Sequence, residues 1–242
     1  MSGEPSPGNC RRFAIDPGVL RLFPGMTIVG AVVRGVDNRA APESLDAAWA
    51  DAWRAAGDLD VPNAQSHPSV RALRERFKDA GVSVKRFPTS IEAMLRRALK
   101  GGEPFRINPL VDLYNALSLT HVCPAGAFDL DALSGPLELR FTRDGDTFTA
   151  LDADGAVDVD PGEIAYANGT VVLTRHFMWR QSRQALVGPA TCDAVLVAEI
   201  PGELGRGAAD AFLDDLRAGL ERHFGPVSAA FSLDEDEPVA EW

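Results

Sequence analysis

The sequence predicts an α+β fold, a mainly antiparallel sheet flanked by helices. Three observations carry that expectation. Apolar residues recur at helical spacing mostly between residues 44 and 120, whereas β-type runs dominate after residue 125. The later runs are separated by Asp-Gly and Asn-Gly pairs at 144–145, 154–155 and 168–169, which are turn signals between strands. The 242 residues are 45% hydrophobic and 24% charged, enough apolar material for a sizeable core.

Taken in order, residues 1–12 are polar and rich in Pro and Gly and read as a disordered N-terminus. A single α+β unit is expected over 13–233 and a loose acidic tail over 234–242. Val19, Leu20 and Leu22, then the Pro24-Gly25 turn and the β-branched run Ile28–Val33, read as two strands joined by a turn. Ser44 is placed to cap a helix with Leu45, Ala48, Trp49, Ala52 and Trp53 inward, ending near Gly57. A second helix runs from about Ser69 to Ala80, stopped by Gly81. Ser90 opens a third, with Ile91, Met94, Leu95, Ala98 and Leu99 on one face and Gly101-Gly102 at its end. After Asn108-Pro109, Leu110 to Thr120 forms a fourth, with Val111, Tyr114, Leu117 and Ser118 sharing a face. Strands follow at 137–141, 148–151, 164–166, 171–173 and 194–200, then a helix at 208–224 and a last strand at 227–233.

Composition removes several classes. No apolar run approaches the ~20 residues that span a bilayer. The start, MSGEPSPGNCRRF, lacks the basic-then-apolar order of a secretory signal, so a cytoplasmic protein is expected. Cys10, Cys123 and Cys192 are too scattered for a disulfide framework or a CxxC site, and the four histidines form no HExxH, so no metal is expected. There is no GxxxxGK[ST], no GxGxxG and no GxSxG, and no cofactor is implied. His121 and Cys123 lie two apart and point to different sides of a helix or strand, which makes Cys123 a buried structural residue rather than half of a dyad.

The net charge of −11 is uneven: residues 71–106 hold 10 basic and 4 acidic groups. Phosphate affinity follows the local field, so Arg71, Lys85, Arg96, Arg97, Lys100 and Arg106 are candidate contacts to a nucleic-acid backbone. The competing reading is a solvated helical face with pairs such as Glu92–Arg96, and basic groups in a last turn also suit the helix dipole.

Three further polar clusters stand out. Asp112, Asn115 and Ser118 fall three residues apart on one helical face, just before Pro124, Ala125, Gly126 and Asp129. Pro161-Gly162-Glu163 opens a strand, where Glu163 is either a turn carboxylate or a pocket wall. In TRHFMWRQS, Arg175, Trp179, Arg180, Gln181 and Ser182 crowd together, and aromatic rings interleaved with Arg can hold a nucleotide by stacking and phosphate contact.

The string SIEAMLRRALKGGEPFRINPLVDLYNALSLTHVCPAGAFDLDAL, followed by GEIAYANG and LTRHFMWRQS, resembles the freestanding B-three/B-four domain proteins. These are similar to the editing domain in the β chain of bacterial phenylalanyl-tRNA synthetase. The resemblance is close over about 65–200 and looser over the first sixty residues. It implies the α+β fold of that editing domain and a trans-editing hydrolase that deacylates mischarged aminoacyl-tRNA, including tRNA charged with a non-protein amino acid such as canavanine. Val111-Asp112 and Asn115 match the synthetase pattern V-D-x-T-N, and Pro124 and Ala127-Phe128-Asp129 match P-L-H-A-F-D, but Gly126 stands at the histidine position.

The implied catalytic set is Asp112, Asn115, Gly126 and Asp129, placing a water and stabilising an oxyanion on an already activated ester. The implied substrate contacts are Ser118, Pro124, Ala125, Glu163, Trp179, Gln181 and Ser182, with Glu163 or Asp112 meeting a cationic side chain. Arg71, Lys85, Arg96, Arg97, Lys100, Arg106, Arg175 and Arg180 are the expected tRNA contacts. The expected partner is aminoacyl-tRNA, with neither DNA nor a membrane. A tRNA- or RNA-binding module without chemistry, and a binder of amino-acid-like small molecules, remain as alternative readings.

Overall fold

The computed structural model describes residues 11–242, beginning with strand β1 (Arg12–Ile15). Asp16 then starts helix α1 (Pro17–Leu22), its carboxylate accepting the Gly18 N–H at 2.6 Å. An aspartate cap with proline in the first turn is a helix start. The segment around Val19 and Leu20 is therefore helical, not the strand expected from its apolar residues. Strand β2 (Thr27–Val33) is buried at all seven positions.

Four helices follow, α2 (Glu43–Gly57), α3 (Pro68–Asp79), α4 (Ser90–Leu99) and α5 (Pro109–His121). Their bounds track the apolar spacing. The Ser44 cap does not form: Pro42 holds the N-cap position of α2 without a side-chain bond, and Ser44 Oγ lies 3.3 Å from His223 Nδ1.

The β-rich half contains β3 (Ala125–Asp129), β4 (Leu137–Phe141), β5 (Thr147–Phe148), β6 (Val157–Asp158) and β7 (Ile164–Asn168). It continues with β8 (Val171–Val172), β9 (Thr174–Arg175), β10 (Arg180–Gln181) and β11 (Ala194–Ile200). Helix α6 (Arg206–His223) and strands β12 (Ala229–Leu233) and β13 (Val239–Glu241) close the chain.

The strands form a seven-stranded sheet in the order β13-β1-β4-β7-β8-β5-β6, a four-stranded sheet β12-β2-β11-β3, and the separate pair β9/β10. Pairing is antiparallel except at β1/β4 and β5/β8, so the architecture is α+β as the sequence predicts. Gly30 is required in β2: a Cβ there would meet the Phe231 ring at 2.4 Å and the Leu196 carbonyl at 2.6 Å.

Residues 234–242 are not loose. Strand β13 pairs with β1, setting Glu241 opposite Arg12, and the Trp242 ring stacks on Phe231 with centroids 5.7 Å apart. Asp234 accepts a bond from Arg206 at 2.6 Å. The edge of β1 needs a partner and the tail supplies one, despite its acidic composition. Arg12, assigned from sequence to the disordered N-terminus, is thus a strand residue. Cys10 lies outside the described residues.

The two faces of β11 set the interior. Ala194, Leu196, Ala198 and Ile200 pack with Phe212, Leu216 and Leu220 of α6. The alternate residues Val195 and Val197 pack with Phe128, Tyr166 and the helical half. Period-two alternation places Glu199 on this second face.

Candidate functional site

Helix α5 is held at its N-terminus by a closed set of polar contacts. Asn108, the N-cap, accepts the Val111 N–H at 3.2 Å, and Asn38 Oδ1 accepts the Leu110 N–H at 2.8 Å. Asn38 Nδ2 donates to Asn108 Oδ1 at 3.0 Å and to the Gly188 carbonyl at 2.8 Å. At the other end Val122 is left-handed, with φ 52°, and Ser118 Oγ donates to the Cys123 carbonyl at 2.5 Å. Both ends are fixed, so the turn into β3 is fixed with them.

Beside that turn lies a cavity of about 420 Å³. Its floor is the β3/β11 face with Gly126, Phe128, Val197 and Glu199, opposed by Tyr166 of β7. Met94 of α4 and Asn115 of α5 line one side, and the 174–181 segment lines the other. Nothing comes within 4 Å of a Cβ built on Gly126, so the space a side chain would fill belongs to the cavity. Within the 174–181 segment His176 and Phe177 are both left-handed, with φ 46° and 64°. Such conformations cost energy for residues with a Cβ and persist where the surroundings enforce them. Here Phe177 is fully buried and Gln181 Nε2 donates to the Ala127 carbonyl at 3.0 Å, fastening the segment to the edge of β3.

That edge carries polar groups of its own. Glu199 N–H bonds the Pro124 carbonyl, whereas Asp129 N–H bonds Ala185 outside the sheet. In an antiparallel ladder the bonding direction alternates, so the N–H groups of Ala125 and Ala127 also turn away from β11. Both residues line the cavity.

Glu199 is the carboxylate among the described lining residues of this cavity. It is 4% exposed, and Tyr166 Oη donates to its Oε1 at 2.6 Å. Burial pushes its pKa from 4.5 up to about 7, against the opposing pull of the Tyr166 hydrogen bond. The Tyr166 hydroxyl is held well above its ordinary range by its own burial and by Glu199.

A family model described as the B3/4 domain matches residues 63–206. The chain belongs to this family. Among solved structures, an N-terminal fragment of the phenylalanyl-tRNA synthetase beta subunit from Pyrococcus horikoshii is similar over 91% of this chain, at 12% identity and a TM-score of 0.44. The chain spans 50% of that fragment's length. A search of curated proteins gives no match. No helix among the described residues is long and apolar enough to cross a membrane.

In this B3/4 domain, Asn115, Pro124, Ala125, Gly126, Trp179, Arg180 and Gln181 all line the cavity. Five other expected site residues do not. Asp112 is buried against Arg106 Nε at 2.9 Å and accepts the Ile107 N–H, which fixes the start of α5. Asp129 accepts from Thr191 Oγ1 and from the Asp131 N–H. Ser118 is spent on Cys123, and Ser182 Oγ on the Thr149 carbonyl. Glu163 belongs to a second cavity, where Arg175 Nε and Nη2 both reach it at 2.8 Å and His176 N–H donates to it. In each case the polar atom is consumed by a neighbour, so the carboxylate or hydroxyl organises a turn.

Glu199 and Tyr166 are not among the site residues expected from the sequence. One signal was available: in AVLVAEI, a lone carboxylate falls in register with Val195 and Val197 on an inward face.

The candidate cations divide similarly. Arg96 is paired with Glu92 at 2.7 Å, and Glu92, 1% exposed, also holds Arg74. Arg97 lies over the Trp53 and Phe105 rings at 5.8 and 5.2 Å. Arg106 is shared by Asp46 and Asp112, Arg175 is bound by Glu163, and Arg180 by Asp152. Arg71, Lys85 and Lys100 are exposed and have no carboxylate partner among the described residues. The His121–Cys123 dyad is absent: His121 Nε2 meets Asp215 at 2.9 Å, and burial, then nearby Glu199, pushes the Cys123 thiol up to about 12.

Proposed function

We propose that the chain is a trans-editing hydrolase that removes a wrongly attached amino acid from tRNA. The observation that supports this most is the cavity opened at Gly126, where outward N–H groups, an apolar wall and a buried carboxylate meet. The ester carbonyl oxygen sits at the outward N–H of Ala125, which stabilises the negative charge that develops when water attacks. The bond to the ribose oxygen then breaks and that oxygen takes the proton. No covalent enzyme intermediate is needed, because the ester is already activated and positioning of water supplies the rate.

The amino-acid side chain lies among Met94, Phe128, Phe177 and Met178, and its polar end meets Glu199. Glu199 replaces Glu163 and Asp112 as the group that selects a cationic or hydrogen-bonding side chain. Arg71, Lys85 and Lys100 hold the tRNA backbone. A non-catalytic tRNA-binding module is the second reading, favoured by Gly126 at the position where the resembling synthetase motif has histidine.

The test is deacylation of tRNAs charged with several non-cognate and non-protein amino acids, canavanine included. Gly126→Leu places a side chain in open space and should lower kcat/KM by about a hundredfold, since small misplacements cost that much. Glu199→Gln should cost about tenfold on a cationic side chain and little on an apolar one. Binding of tRNA without hydrolysis of any substrate selects the second reading, and absence of tRNA binding rejects both.

A further inference from the structure

The second cavity, of about 520 Å³, lies against the other side of the 176–179 turn. The Phe87 ring stacks on His176 with centroids 3.6 Å apart and meets Trp179 edge-on at 4.7 Å. Trp179 lines the first cavity, and Phe87 and His176 line the second, so the two share an aromatic wall.

The charges of the second cavity separate into those with an opposite charge beside them and those without. Arg175 and Glu163 neutralise each other. His176 lies close to that pair, and burial depresses its pKa, which leaves a neutral imidazole in the wall. Arg86, with its guanidinium 5.1 Å from the Phe87 ring, has no carboxylate partner among the described residues, and neither has its exposed neighbour Lys85. The Asp160 carboxylate, exposed at the cavity, has no side-chain partner among the described residues. A cation, a stacked ring pair and a free acceptor therefore face one space.

We propose that this cavity is a nucleotide subsite, selective for a base with an exocyclic amino group. The phosphate is held by Arg86, the base packs on the Phe87–His176 pair, and the amino N–H donates to Asp160. Resting on the editing reading above, the occupant is the nucleotide next to the one bearing the ester, whose end lies across the shared wall.

The test is a titration of the full ¹⁵N-labelled chain with cytidine 5′-monophosphate, uridine 5′-monophosphate and inorganic phosphate, following the Trp179 indole N–H. The cytidine nucleotide should give saturable shifts, and the uridine nucleotide should bind about tenfold more weakly because it offers no amino group. Arg86→Gln and Phe87→Leu should each weaken the cytidine nucleotide by about tenfold. Asp160→Asn should abolish the preference between the two bases. No saturable response to the cytidine nucleotide, an unchanged response in Arg86→Gln, or inorganic phosphate binding equally well would each overturn the subsite. The ligand carries no ester, so the result is independent of turnover. Hydrolysis without nucleotide binding rejects the subsite alone, and nucleotide binding without hydrolysis rejects the editing reading alone.

Discussion

Glu163 and Glu199 are both carboxylates beside the same 174–181 segment, and they meet opposite fates. Glu163 accepts from two nitrogens of Arg175 and from the His176 N–H, so its lone pairs are used in shaping the turn. Glu199 receives Tyr166 at one oxygen and otherwise faces a cavity. Position within a recognisable motif marked the first; unspent hydrogen-bonding capacity marks the second. The cations repeat the contrast, with Arg96 consumed by Glu92 and Lys100 left open.

The largest expected difference between the two carboxylates is in how stability follows pH. The folded-state pKa of Glu199, about 7, lies above its ordinary 4.5. Its contribution is therefore complete below about pH 4.5 and is lost as pH rises through about 7, to the extent of on the order of 3 kcal/mol. Glu199→Gln keeps an acceptor for Tyr166 and should flatten that fall when urea denaturation is followed from pH 4.5 to 8. A wild-type slope in the variant would mean that ionising Glu199 carries no burial cost.

Glu163→Ala should instead lower stability through the contacts it removes. The guanidinium, 23% exposed, and the His176 N–H lose their acceptor, a cost of about 2 kcal/mol. For a chain of this size that is a fall in Tm of roughly 4–8 °C. A change below about 1 °C would equate Glu163 with an ordinary surface ion pair.

The smallest effect separates the cations. Replacing Arg71, Lys85 and Lys100 together by Ala should reduce the slope of log affinity for tRNA against log salt by about 2–3, as phosphate contacts are removed. Arg96→Ala should leave that slope unchanged, because its charge already serves Glu92. Gel shifts across a salt series read both, and the reverse pattern would return the three open cations to a solvated surface.

Much of the frame was legible because local signals agreed with the tertiary outcome. Asn108-Pro109 before a helical period marked α5, and the alternating apolar runs marked β4, β7 and β11. Val19 and Leu20 misled because apolar composition outweighed the Asp16-Pro17 helix start. The tail misled because its charge concealed Val239, whose strand partner Ala14 lies at the far end of the chain, and Trp242, whose ring stacks on Phe231. At the site, Asn115, Gly126 and Gln181 were reachable through motif text. Glu199 was not, because its meaning depends on Tyr166, 33 residues away, and on which face of β11 turns inward. Which polar groups are already satisfied is a property of contacts, and Asp112, Asp129 and Ser118 were indistinguishable from free groups until those contacts were known.

The central place of β2 has a consequence for how the chain is made. It pairs with β11 across seven residues and with β12 across five, yet more than 150 residues separate it from either. During synthesis β2 therefore emerges early and waits, with both edges bare, while nearly all of the B3/4 segment is translated. Contacts of such long sequence separation fold slowly, because loop closure precedes any reward. An apolar, two-edged strand in that interval is a template for pairing with other chains. Newly made protein should thus be most aggregation-prone before residue 200 has appeared, and a fragment limited to residues 63–206 would leave the opposite edge, that of β11, without its partner.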